Sequence, residues 1–280
     1  MNILRVMSYT VIVAVGQTLV LILGGLDLSV GSVIGLGGIV SAFCMVNLGL
    51  PVPVSIIAGL GAGCIIGLLN GLFVVKLRIP PLIVTLGTLY IARGIVNVIT
   101  MGRPVYPLPE SFGILGNGEI FSIQYSIVIM VVFALIIHFI LKKTAFGKYI
   151  FAIGGSEETT RLYSINVNKV KFIVYIICGF LAAFSGIIMT SRMGSAQTNL
   201  GTGWELKVIA AVIIGGTSVL GGSGTILGTI IGAGVMSVLS NGMVLMRVSP
   251  YWQNIVIGMI IIFAVGLDMY KRKYKTGGVI

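Results

Sequence analysis

Of the 280 residues, 57% are hydrophobic and only 9% are Asp, Glu, Lys or Arg, with a mean hydropathy of +1.12. A soluble domain carries about a quarter charged residues, so this inventory cannot build a water-facing surface, and the chain reads as an integral membrane protein. The net charge of +11 does not indicate nucleic-acid binding, because the basic residues flank apolar runs instead of forming one patch.

Nine apolar runs are predicted to cross a bilayer, at about 6–26, 28–46, 52–75, 80–100, 124–141, 172–191, 206–221, 225–246 and 251–269. The second and seventh are short or glycine-broken. The runs are continuous and not alternating, which excludes a β-barrel and gives an all-α polytopic fold in one domain, 1–280.

Between the first two runs lies LILGGLDLSVGS (21–32). Gly24-Gly25 can end a helix, and Asp27 with Ser29 can cap the next by accepting backbone N–H bonds. Asp27 is also the only acid in the first hundred residues. A charge in lipid is costly, and non-helical backbone at membrane depth must be covered by protein or line a cavity. Asp27, Ser29 and Ser32 are therefore candidates for a solute path.

In the third run Gly59, Gly63, Gly67 and Gly71 recur every fourth residue, as do Gly224, Gly228 and Gly232 in the eighth. Such ladders let helix backbones approach closely. Arg93, inside the fourth run, is expected to pair with a carbonyl or an acid sooner than with a solute. NGLFVVKLRIP (70–80) resembles NGMVLMRVSP (241–250), a faint repeat whose copies end on opposite sides of the membrane. His138, the single histidine, sits near the inner end of its run, where a packing or interfacial role is expected. Cys44, Cys64 and Cys178 lie in apolar runs without metal spacing and read as small hydrophobes.

The stretch 142–171 is polar and of mixed charge. Ser156 followed by Glu157 and Glu158 has the form of a helix start, and a short helix is predicted over about 157–164. Lys142, Lys143, Lys148, Arg161, Lys169 and Lys171 place this loop on the cytoplasmic side, as do Lys76 and Arg78 for their turn and Lys271, Arg272, Lys273 and Lys275 for the tail. Loops 101–123 and 192–205, with Glu110, Glu119 and Glu205, then face outward. Nine spans with an inner C-terminus put Met1 outside, so either one span is misread or a preceding helix is missing from this chain. No phosphate-binding loop, metal cluster or nucleophile–base pair is legible, and no catalytic residue is assigned.

GGLDLSVGS (24–32), TAFGKYIFAIGGSEETTRLYSINVNKVK (144–171) and GTGWELKVIAAVIIGGTSVLGGSGTILGTIIGA (201–233) together resemble the ribose-type permease subunits of bacterial ABC importers, in the right order over nearly the whole chain. The resemblance implies a ten-helix fold with inverted repeats. It implies a dimer of permeases, homo- or heteromeric, in the cytoplasmic membrane. A separate ATPase carries the ATP, so this chain holds no cofactor of its own, and an extracytoplasmic sugar-binding protein delivers the solute. The coupling helix corresponds to Ser156–Ser164, with Gly154, Gly155, Ser156, Glu157, Glu158 and Arg161 in the ATPase contact. Relatives often carry Asn-Xaa-Xaa-Ala-Ala where this chain has Ser156-Glu157-Glu158-Thr159-Thr160, which bears on the identity of the ATPase. Thr198, Asn199 and Thr202 are expected where the binding protein docks. Ribose, xylose, galactose, inositol and a sugar-like autoinducer are all possible cargoes. The Asp-Leu-Ser signature argues against a branched-chain amino-acid permease. The alternative is an ion-coupled secondary transporter, for which Asp27, His138 and Asp268 are the available ion ligands.

Overall fold

The computed structural model describes residues 2–275, without the side chains of Asn2, Leu267 and residues 271–275. Met1 and the side chains of the basic tail lie outside the described residues.

The chain forms α1 (Asn2–Ile22), α2 (Val30–Val46), α3 (Val52–Lys76), α4 (Pro81–Thr100), α5 (Glu110–Asn117), a hairpin of β1 (Glu119–Ile120) and β2 (Ile123–Gln124), α6 (Tyr125–Lys143), α7 (Ala145–Gly155), α8 (Glu157–Leu162), α9 (Val167–Met193), α10 (Trp204–Ile214), α11 (Ile226–Leu245) and α12 (Pro250–Lys275). Among the described residues, seven helices are long and apolar enough to cross a bilayer: α1, α3, α4, α6, α9, α11 and α12. The remaining two predicted spans are partial helices, α2 with 17 residues and α10 with 11.

Glycine sets both breaks. Gly24 takes φ +76°, its N–H bonds Leu21 O, and the Gly25 N–H bonds Val20 O. This is a Schellman ending, and it stops α1 four residues before the apolar run ends. Residues 23–29 then lead non-helically to α2. Gly201 and Gly203, at φ +78° and +77°, turn the chain into α10, and Gly216 at +85° follows its end. The expected span 206–221 is therefore helical only to Ile214. Part of loop 101–123, expected to be irregular, is ordered as α5 and the hairpin.

The two halves follow one plan. A long helix, a break, a partial helix, a long helix and a proline-led helix occur as α1–α4 and again as α9–α12. Neighbour relations repeat as well: α9 packs on α2 and α3 as α1 packs on α10 and α11, and α4 meets α2 as α12 meets α10. The Asn-Gly repeat falls on α3 and α11, with Lys76 and Arg247 at the same offset from it, and Arg78 and Arg247, just past the two helix ends, both stand at left-handed φ, +54° and +56°. The copies lie at opposite ends. Arg78 shares a cleft with Glu157 and Arg161 of α8, and α11 starts beside His138 and Phe151 and runs away from that end.

α1 and α9 form the buried centre. The glycine ladders pack as expected, except that Gly224 lies before the start of α11. A Cβ on Gly63 or Gly67 would collide with the α9 backbone at Gly179 or Tyr175, and one on Gly228 or Gly232 with that of Gly215 or Ala211. Cys44 and Cys178 are buried, Cys64 partly so, and all three are free thiols.

Candidate functional site

The first break closes around a buried polar chain. Asp27 Oδ1 accepts the Ser29 backbone N–H at 2.8 Å and the Ser29 hydroxyl at 2.6 Å. Asn70 Nδ2 of α3 donates to Ser29 Oγ at 2.9 Å, and Thr88 Oγ1 of α4 donates to Asn70 Oδ1 at 2.6 Å. Thr85 donates to the Leu26 carbonyl at 3.1 Å. The Gln17 amide, oriented to satisfy both partners, donates to Asp27 O and accepts from Asp27 N, each at 3.2 Å. Asp27 thus makes an Asx turn onto Ser29, the N-cap residue of α2, and Ser29 makes no side-chain bond into the helix. The expected direct capping of the first turn is replaced by this turn. Asp27, Ser29 and Ser32 are each only 1% exposed, so all three are sealed inside the protomer. Gln17, Asn70 and Thr88 join this chain without having been candidates from sequence. Asn70 was visible as half of a repeated Asn-Gly.

The second break is open on one side. Ala196 pairs with Val105 beyond the far end of α4, and residues 197–203 run back between the helices. Arg93 Nη1 donates to the carbonyls of Thr198 and Leu200, both at 2.9 Å, which is the carbonyl pairing expected of it. The segment presses on α2: Gly35 faces Leu200 O and Arg93, and Gly31 faces Gly201 O and the Glu205 carboxylate. A side chain at either glycine would fill the space these groups use. Thr198 is half-buried, and Asn199 and Thr202 are exposed. Glu205 is not in an outward loop as expected. It stands in the first turn of α10 beside the start of α2, because Gly201 and Gly203 turn the chain inward before the apolar run begins.

The third feature is the α8 end. Ser156 accepts the Thr159 N–H at 3.2 Å, and Glu157 and Glu158 occupy the first turn, favourably placed for the helix dipole. Helix α8 ends at Leu162, two residues before the predicted end. Glu157 accepts from Arg161 Nη2 at 2.8 Å and from Lys171 of α9, and Arg161 also donates to Asn168 at 3.0 Å. Gly154 lies flat against Ile22 O and Gly222 N, whereas Gly155 has open space around it. Lys76 and Arg78 face this cluster across a cleft of about 740 Å³. Partial burial pushes the Glu157 carboxyl up, but the hydrogen bonds and charges of Lys171 and Arg161 outweigh it and hold the carboxyl below its ordinary value. Among the described residues no group of three or more His, Cys, Asp or Glu could hold a metal.

Two helix breaks in halves of opposite sense match the inverted repeats found in many transporters. A family profile described as "Branched-chain amino acid transport system / permease component" matches residues 1–265. The chain belongs to that permease family. Among sequence relatives, the permease is 42% identical to the ribose import permease of Haemophilus influenzae over 279 residues, covering 98% of this chain and 86% of the relative. It is 43% identical to the ribose import permease of Escherichia coli K12, covering 97% and 85%. It is 36% identical to the galactose/methyl galactoside import permease of Haemophilus influenzae, covering 98% and 87%. No solved structure matches the permease.

Proposed function

We propose that this permease is the membrane-spanning subunit of an ATP-binding-cassette importer carrying a monosaccharide or sugar-like solute into a bacterial cell. The observation that carries the reading is the 42–43% identity to ribose import permeases over nearly the whole chain. Within the broader family heading, relatives named for ribose and galactose favour a sugar over a branched-chain amino acid.

The chain acts as one permease domain, 1–280, in a dimer in the cytoplasmic membrane, with the α8 end and the C-terminus inside. A separate ATPase binds and hydrolyses ATP. It docks on α8 through Gly155, Ser156, Glu158 and the Glu157–Arg161 pair, and Gly154 ties α8 through Ile22 to the first break. A solute-binding protein docks over the far opening, above Thr198, Asn199 and Thr202. Asp27, Ser29 and Ser32 hold the first break in shape beside the path. The ion-coupled alternative is disfavoured because one Asp27 oxygen is committed to its own turn and the residue is enclosed by protein.

A photo-crosslinking amino acid at the exposed Glu158, in cells taking up labelled D-ribose, D-galactose or D-xylose, tests this. The expected product joins the permease to a protein with an ATP-binding cassette, and uptake stops when that protein is deleted. Uptake that persists after the deletion overturns the reading in favour of an ATPase-independent carrier.

A further inference from the structure

Most of the exposed surface at mid-height of the spanning helices is apolar, as at Ile65 of α3, Leu135 of α6 and Val235 of α11. One face is different. On α4, Tyr90 (70% exposed), Arg93 and Asn97 follow one another at helical spacing on a single stripe, and the space beside Gly94 is open. Next to this stripe stand the exposed Asn199 and Thr202 and the half-buried Glu205.

These groups are not at the rim. Arg93 precedes the end of α4 by seven residues, about 10 Å at 1.5 Å per residue. Glu205 touches the start of α2, whose other end lies level with the end of α4 beside Asn47 and Arg103. The carboxylate is therefore deeper than Arg93. A charge at the bilayer centre costs about 2.5–3.5 kcal/mol on insertion scales, so charged side chains there face protein or water, not lipid. Among the described residues the Glu205 carboxylate has no Lys or Arg within ion-pair distance, as the pairs found both belong to Glu157. The hydrogen bonds of Arg93 run through Nη1, which leaves Nη2 and Nε to serve something else.

We propose that Arg93, Asn199, Thr202 and Glu205 form the wall of the aqueous path in this protomer, and that Arg93 and Glu205 contact the hydroxyl groups of a neutral polyhydroxyl solute. The chemistry fits that class. A carboxylate accepts from hydroxyls, a guanidinium donates to them, and the opposite charges nearly cancel, so neither an anion nor a cation is preferred. The solute class rests on the sugar-importer reading, whereas the wet wall does not.

The test uses the complete transporter in cells, with Cys44, Cys64 and Cys178 replaced and uptake retained. Asn199→Cys and Thr202→Cys are exposed to a membrane-impermeant maleimide, with Leu135→Cys as the lipid-facing reference. Labelling at least about tenfold faster than at position 135 is expected, and equal rates overturn the wall. Glu205→Gln is then compared with wild type for uptake of D-ribose and a panel of its monodeoxy analogues. Loss of a charged hydrogen bond should cut uptake about tenfold or more and shrink discrimination against at least one analogue by a similar factor. A merely structural role lowers uptake of all of them alike and overturns the solute contact. If Glu205→Gln does not reach the membrane, Asn199→Ala and Thr202→Ala take its place in the comparison. A wild-type transporter that takes up no sugar defeats the functional reading, and the labelling contrast still decides the wall.

Discussion

Asn70 uses both ends of its amide inside the protein, donating to Ser29 Oγ and accepting from Thr88 Oγ1. Replacing it leaves two buried hydroxyls with one partner fewer. Asn70→Ala is expected to destabilise the permease by about 1–3 kcal/mol, two lost hydrogen bonds at about 0.5–1.5 kcal/mol each, because Ser29 keeps Asp27 and Thr88 keeps the Thr85 carbonyl. Thermal unfolding of the purified protein in detergent reads this, and an unchanged midpoint would show that Ser29 and Thr88 find other partners. The residue was not legible as part of the site. Its partners are 41 and 18 positions away in sequence, and nothing in the run NGLFVVK says which face Asn70 takes. Asp27 was legible because a lone acid after two glycines breaks an apolar pattern. Its bond to the cap residue, not to the helix beyond, depends on the backbone path of residues 23–29.

At the scale of elements, the packing of α2 on α9 depends on the missing side chain of Gly186, where a Cβ would drive into the Ile34 carbonyl. Gly61 on α3 has nothing within 4 Å of its notional Cβ. Gly186→Ala should therefore cost about 1–3 kcal/mol, as overpacking does, and Gly61→Ala should not lower stability. Equal thermal midpoints for the two variants would contradict the close approach. Helix α8 carries a pH dependence. Glu157 is held below its ordinary value of 4.5, so its pairing with Lys171 and Arg161 stabilises α8 fully above that value and fades as pH falls through the lowered one. Amide exchange of α8, corrected for intrinsic rate, should rise on acidification below about pH 4.5, the ordinary carboxyl range. Glu157→Gln should remove the dependence, and a profile the same in both proteins would place the titration elsewhere. The α8 start was readable from Ser156-Glu157-Glu158. The extents of α2 and α10 were not, because hydropathy does not distinguish a helix that crosses from a non-helical segment that is equally well covered.

For the whole molecule, the nine apolar runs were legible, and seven are full-length helices. The likeness between the halves shows in sequence as the Asn-Gly pair with its basic residue and proline and as the glycine ladders of α3 and α11. Side chains have diverged, but the order of elements and their neighbours has not. Glu205 shows the limit of reading orientation from charge. It was placed outside because loop 192–205 alternates with the Lys- and Arg-rich inner loops, yet residues 197–203 fold back toward the centre.

The paired turns at Arg78 and Arg247 bear on how the chain is threaded during synthesis. The first copy of the repeat carries Lys76 and Arg78 and the second only Arg247, so in halves of opposite sense the motif adds two positive charges at one end and one at the other, and these offset in part as topogenic information. The motif then sets direction only weakly. The decision passes to the connector between them, where Lys142, Lys143 and Lys148 follow α6 and Lys169 and Lys171 open α9. By the positive-inside rule, the segment that joins the halves then carries the larger share of the topogenic charge.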